Sequence, residues 1–170
     1  MSAMENAAFE TGVAKQVVRL AEILMQKQAM LACAESCTGG WLAKLCTDLA
    51  GSSQWFDRGF VTYSNAAKQD MLGVSLQTLE QHGAVSEQVA AEMASGVLAR
   101  SQVHFAVAVT GIAGPGGGSP DKPVGTVCFA VARRAGGLQT ARRQFAGDRE
   151  QVRLQSVGFA LELLMTTVQP

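Results

Sequence analysis

Histidine is nearly missing from this chain: only His82 and His104 occur among 170 residues. Two such residues, far apart in sequence, exclude a histidine-rich metal centre. They also leave little for serine–histidine catalysis, because His82 sits in a Gln-His-Gly turn and His104 in an apolar strand, where a structural role is expected. Charge is scarce too. Charged residues make up 16%, and 14 Lys and Arg balance 14 Asp and Glu. A zero net charge offers no basic excess for nonspecific nucleic-acid binding, which points to a small-molecule substrate rather than a polymer. Four cysteines (Cys33, Cys37, Cys46, Cys128) form neither a dense disulfide framework nor a paired C-x-x-C zinc pattern. No run of roughly 20 apolar residues could span a bilayer, and the start shows no basic region followed by an apolar stretch. The expectation is a soluble cytoplasmic protein with no nucleic-acid or membrane partner.

What is present is apolar patterning: 48% of residues are hydrophobic, enough for one folded domain over residues 1–170. Residues 1–10 are polar and small, and are expected to be flexible. After Thr11, Val13, Val17, Leu20, Ala21 and Leu24 recur at helical spacing. Residues 30–34 are a short buried strand, leading through a polar turn to a helix carrying Trp41, Leu42, Leu45 and Leu49. Residues 56–63 are strand-like in aromatic and β-branched content. Helices follow, with Ser64 and Ser86 at their starts. Residues 103–109 are apolar enough for a strand covered on both faces. Residues 124–132 and 138–145 then form a hairpin across Gly136 and Gly137, before a last helix starting at Asp148. Helices alternating with strands, plus one hairpin, predict an α/β fold, a three-layer α/β/α sandwich with a mixed sheet.

Two turns at the carboxyl ends of predicted strands are placed for ligands. The first puts Ser36, Cys37 and Thr38 before a helix, where free backbone N–H groups favour a phosphate or an oxyanion. Spacing alone equally allows Ser36 or Thr38 to be a helix cap. The second, Thr110-Gly111-Ile112-Ala113-Gly114-Pro115-Gly116-Gly117-Gly118, is glycine-rich but lacks the Lys-Ser/Thr ending of a P-loop. A phosphate-processing reading of that loop also lacks a carboxylate cluster for a metal. Lysine can replace histidine as a base when desolvation lowers its pKa, and Lys68 follows a predicted strand. The residues alone permit a Ser36–Lys68 pair without requiring it.

Taken together, Ala34-Glu35-Ser36-Cys37-Thr38-Gly39-Gly40, Tyr63-Ser64-Asn65-Ala66-Ala67-Lys68, the glycine-rich loop beginning at Thr110 and Lys122-Pro123-Val124-Gly125-Thr126-Val127 resemble, in that order, the CinA C-terminal domain. The resemblance runs from about Val13 to the end. It implies a nicotinamide mononucleotide deamidase that releases ammonia and nicotinate mononucleotide without metal or organic cofactor. It further implies Ser36 as nucleophile and Lys68 as base, with Tyr63 and Thr110 assisting. Cys37, Thr38, Gly39, Gly40, Gly111, Arg149 and Arg153 are the candidate substrate-binding positions, the two arginines for phosphate or as plain surface charges. A homodimer or higher homo-oligomer is the implied assembly. The pyrophosphatase activity tied to the additional N-terminal domain of longer family members is not carried over. The alternative is a catalytically silent nucleotide-binding protein of the same family.

Overall fold

Four helices begin on side chains that accept a backbone N–H three residues on, as the sequence leads one to expect of Ser and Asp. Ser64, Ser75 and Ser86 accept from Ala67, Thr78 and Val89. Asp148 accepts from Gln151, whose side chain returns the bond in a capping box. The computed structural model describes residues 3–169. In chain order the elements are α1 (Ala3–Gln26), β1 (Leu31–Glu35), α2 (Trp41–Asp48), β2 (Phe56–Val61), α3 (Asn65–Leu72), α4 (Leu76–His82), α5 (Glu87–Ala99), β3 (Phe105–Gly111), β4 (Thr126–Arg133), β5 (Leu138–Gln144) and α6 (Arg149–Val168). The first helix therefore begins at Ala3, eight residues before Thr11, and residues 3–10 belong to it.

The strands form one sheet in the order β2-β1-β3-β4-β5. β1 is parallel to both neighbours, while β3, β4 and β5 pair antiparallel. The mixed sheet and helices on both faces are the predicted three-layer α/β/α sandwich. Strand alternation sends Leu31, Cys33, Val107, Val109, Val127, Phe129 and Val131 into a core shared with α1, α2 and α6. The intervening Ala32, Ala34, Ala106, Ala108, Ala130 and Ala132 face α3, α4 and α5. Small side chains on that second face let the helical layer lie close to the sheet. Gly96 of α5 continues the pattern, since a Cβ there would sit 2.1 Å from Leu72 O.

This topology fixes the site. The chain leaves β1, crosses one face through α2 to β2, then crosses the other face through α3–α5 to β3. The ends of β1, β2 and β3 consequently open a crevice where the direction of winding reverses, the usual ligand position in open α/β sheets. Among the described residues no helix is long and apolar enough to cross a membrane.

Candidate active site

The period-two alternation of the strands brings three polar residues to one place. Ala34, Phe60 and Ala108 contribute to the core facing α3–α5. Two residues further along each strand direction come Ser36, Thr62 and Thr110. The ladder continues this far: Ser36 N–H donates to Val109 O at 3.0 Å and Thr62 N–H to Glu35 O at 2.8 Å. Lys68 arrives from α3, one helical turn after the Ser64 cap. Its Nζ lies 3.0 Å from Ser36 Oγ and donates to Thr62 O at 2.9 Å.

Burial makes this pair unusual. Lys68 is 1% exposed and Ser36 8%. The two ion pairs of the described residues, Lys44–Asp48 and Arg58–Asp57, do not include Lys68. An ammonium group removed from water without a carboxylate partner favours its neutral form. Burial accordingly pushes Lys68 below its ordinary 10.5, with the Cys37 thiol acting the other way as a lesser effect. A neutral amine can donate one N–H to Thr62 O and direct its lone pair at the Ser36 hydroxyl, an arrangement compatible with the 3.0 Å separation. This places a buried serine hydroxyl within hydrogen-bond reach of an amine whose pKa burial lowers.

The turn after Ser36 is held from three sides. Glu35, on the opposite face of β1 from Ser36, is 1% exposed. Its Oε2 accepts from Gly40 N and Leu42 N, both at 3.1 Å, and its Oε1 from Ala43 N at 2.9 Å. The start of α2 is thus satisfied by a strand carboxylate, and neither Ser36 nor Thr38 caps it; the capping position is Gly40, at φ 95°. Glu35 thereby places a carboxylate against the first N–H groups of α2, where the helix dipole favours one. Within the turn, Gly39 N–H donates to Ser36 O. Burial pushes the Cys37 thiol up to about 12. Thr38 is fully buried, and its Oγ1 has no hydrogen-bond partner among the described residues. On the third side, Arg153 donates from Nε to Cys37 O at 3.1 Å and from Nη2 to Thr38 O at 2.8 Å. Its guanidinium also lies 5.1 Å from the Trp41 ring centroid.

Thr110 is buried and donates to Ala84 O at 2.8 Å, tying β3 to the loop before α5. Tyr63 is 61% exposed, and its hydroxyl accepts from Arg149 Nη2 at 2.9 Å rather than meeting Ser36 or Lys68. Arg149 Nη1 donates to Gly114 O at 2.8 Å, so one guanidinium bridges the β2–α3 connection and the glycine-rich loop. Two glycines of that loop serve close packing: a Cβ on Gly111 would lie 2.7 Å from Val127 Cγ2, and one on Gly114 2.5 Å from Val124 Cγ1. His104 accepts from Met30 N at 3.0 Å, a structural contact. An open depression of about 590 Å³ adjoins the turn and is lined by Gly39, Gly40, Trp41, Glu150 and Arg153, but not by Ser36 or Lys68. It lies against the α2–α6 layer rather than the face where Ser36 meets Lys68. No group of three or more His, Cys, Asp or Glu is placed to hold a metal among the described residues.

The model of the CinA C-terminal domain matches residues 13–168. The chain belongs to this family. A nicotinamide-nucleotide amidohydrolase PncC of Enterobacter agglomerans is 61% identical over 145 residues, covering 85% of this chain and 88% of that protein. The protein of the same name from Escherichia coli K12 is 55% identical over 146 residues, covering 86% and 88%. Among solved structures, the competence/damage inducible protein CihA of Agrobacterium tumefaciens superposes with a TM-score of 0.91 at 48% identity, over 92% of this chain and 96% of that one. A CinA superfamily protein from Escherichia coli gives 0.87 at 41% identity, over 91% and 90%.

Glu35 is the residue that sequence reasoning passed over in this CinA domain. The signal was available: the N–H groups opening α2 need acceptors, and Glu35 is the acidic residue immediately before the turn.

Proposed function

We propose that this CinA-domain protein is a nicotinamide-nucleotide amidohydrolase, converting nicotinamide mononucleotide to nicotinate mononucleotide and ammonia. The observation that carries the chemical half of the reading is the buried Lys68 Nζ at 3.0 Å from Ser36 Oγ, with no carboxylate paired to it among the described residues. The names of the two PncC relatives supply the substrate.

Neutral Lys68 takes the Ser36 proton as Oγ attacks the carboxamide carbon, and the carbonyl electrons become a tetrahedral oxyanion. The Lys68 ammonium then gives its proton to the departing nitrogen, and ammonia leaves a nicotinoyl ester on Ser36. Water attacks that ester, Lys68 accepts the water proton, and the proton returns to Ser36 Oγ as the acid departs. Thr62 O holds the amine in place throughout, and no metal or organic cofactor enters the sequence. Arg149 suits the phosphate: it is exposed, and its two partners, Tyr63 Oη and Gly114 O, are neutral. Tyr63 then acts by presenting Arg149, and Thr110 by holding the loop at Ala84 that walls the crevice.

The test is ammonia release from nicotinamide mononucleotide by the purified protein and by its Ser36→Ala and Lys68→Ala variants. Each variant is expected to lose activity by about 10³-fold or more with its circular dichroism unchanged. A wild type that binds the nucleotide without releasing ammonia, or a variant that turns over at a comparable rate, overturns the reading.

A further inference from the structure

Arg153 is a natural choice for a phosphate ligand by charge, yet its geometry serves another purpose. Its Nε and Nη2 are both spent on carbonyl oxygens of the turn that follows the nucleophile, Cys37 O and Thr38 O. Packing over the Trp41 ring fixes the guanidinium plane, and Gly39 lies against the same group, with a Cβ there only 3.6 Å from Nη2.

The consequence follows from peptide geometry. In a trans peptide the C=O and the next N–H point in opposite directions, and the cis bond noted among the described residues is Gly114–Pro115. α6 packs in the layer with α1 and α2, whereas Ser36 and Lys68 lie on the face covered by α3–α5. Drawing Cys37 O toward α6 therefore turns the Thr38 N–H toward the reacting face. Of the other N–H groups in this stretch, those of Ser36, Gly39 and Gly40 donate to Val109 O, Ser36 O and Glu35 Oε2. The Cys37 and Thr38 N–H groups have no backbone acceptor outside the regular elements among the described residues, and the buried Thr38 Oγ1, like Thr62 Oγ1, is also without a partner. Two unfilled polar positions at one residue, next to a nucleophile, are what a site awaiting a developing negative charge presents.

We propose that Arg153 is a positioning residue for the reaction, holding the Cys37 carbonyl so that the Thr38 N–H faces the oxyanion formed on the substrate carbon. This rests on the Ser36 acyl-transfer reading above, and it removes Arg153 from phosphate binding, leaving that role to Arg149. The distinction between the two roles is measurable, because a phosphate ligand acts on binding and an oxyanion-positioning group acts on the chemical step.

Steady-state kinetics of Arg153→Lys and Arg153→Gln with nicotinamide mononucleotide test it, with circular dichroism and thermal melting to confirm the fold. Lysine keeps the charge but cannot span both carbonyls with a rigid fork. Both variants are expected to lose kcat by about 10- to 100-fold, since a misaimed oxyanion donor forfeits part of what a deleted one costs, with KM within about threefold of wild type. Retained kcat with a KM raised about tenfold or more overturns the proposal and returns Arg153 to phosphate binding. A second readout needs no nucleotide: the rate at which an uncharged alkyl fluorophosphonate labels Ser36, followed by mass spectrometry. Slowing by about tenfold in both variants supports the positioning role; labelling at the wild-type rate refutes it. If the wild type releases no ammonia from the nucleotide, the functional reading falls, and the labelling rates still judge Arg153 by themselves.

Discussion

Replacing Glu35 by alanine should remove more stability than any single change at a surface carboxylate. Three backbone N–H groups, those of Gly40, Leu42 and Ala43, converge on this one side chain, and a fourth donor, the Cys33 thiol, lies 3.5 Å from Oε1. Water cannot readily replace the lost acceptor, because Glu35 is 1% exposed and Leu42 fully buried. A hydrogen bond to a charged group contributes about 1.5–3 kcal/mol. Three such bonds would sum to more than the protein loses, since the variant is also relieved of a desolvated carboxylate. The cost of stranding the partners of a deleted buried charge, about 3–5 kcal/mol, is the better guide. That is a large share of the ~5–15 kcal/mol that holds a domain together, and at this size it lowers Tm by about 6–20 °C. Glu35→Gln should cost less. Its remaining oxygen can keep the Gly40 and Leu42 bonds of Oε2, while the amide nitrogen loses the Ala43 bond, a loss of about 1.5–3 kcal/mol. Urea unfolding read by tryptophan fluorescence suits the measurement, because Trp55 is 1% exposed and Trp41 opens α2. An alanine variant within about 1 kcal/mol of wild type in unfolding free energy, or a glutamine variant as damaged as alanine, would refute the assignment of Glu35 as the acceptor for the start of α2.

Lys68→Met should change the pH dependence of stability with a definite sign. As pH falls through 10.5 the unfolded chain takes up a proton on Lys68, whereas the native protein, with its pKa lowered by burial, does so only further down. Wild-type stability is therefore lost as pH falls through that window and is flat below it, so the Met variant should gain on wild type over the same range and show no such gain above 10.5. Urea midpoints across the window check this, and a constant difference would mean that Lys68 titrates normally. Deamidation by the wild type should correspondingly decline as pH falls through the native Lys68 pKa, below the ordinary lysine range. Gly96→Ala should destabilise by about 1–3 kcal/mol or more, because the new Cβ would meet Leu72 O at 2.1 Å; a thermal melt unchanged within about 2 °C would show that α5 can shift freely.

Much of the fold was legible because its signals are local. Serine before a helical stripe, an apolar run of strand length, and paired glycines between two strand patterns each have a short-range physical cause, and Ser64, Ser86, Asp148 and the β4–β5 hairpin lie where those causes place them. The beginning of α1 was less legible. Residues 3–10 carry little of the apolar stripe that marks the helix after Thr11, yet that stretch is helical. At the site, sequence spacing put Ser36 and Lys68 after strands but gave no distance between residues 32 positions apart. The contacts of Tyr63 with Arg149 and of Arg153 with Cys37 and Thr38 span still longer separations, and each depends on how α6 docks on the sheet. No periodicity encodes such docking. Glu35 was hidden for a different reason: a carboxylate beside a polar turn reads as solvated until the sheet alternation shows that its side chain points inward.

That same alternation explains how one short segment can bury a carboxylate on one face and meet a buried amine on the other. Glu35 and Ser36 are adjacent, so they occupy opposite faces of the sheet. Glu35 spends its charge on the α2 terminus, whose N–H groups and dipole stabilise it. Ser36 faces α3 and meets Lys68, whose nearest hydrogen-bonding partners are a hydroxyl and a carbonyl. Had the carboxylate and the amine shared a face, the pair would form a salt bridge that held Lys68 charged. Separation by one residue, half a pleat, keeps the acid where it builds the turn and leaves the buried amine beside Ser36 without a carboxylate partner among the described residues.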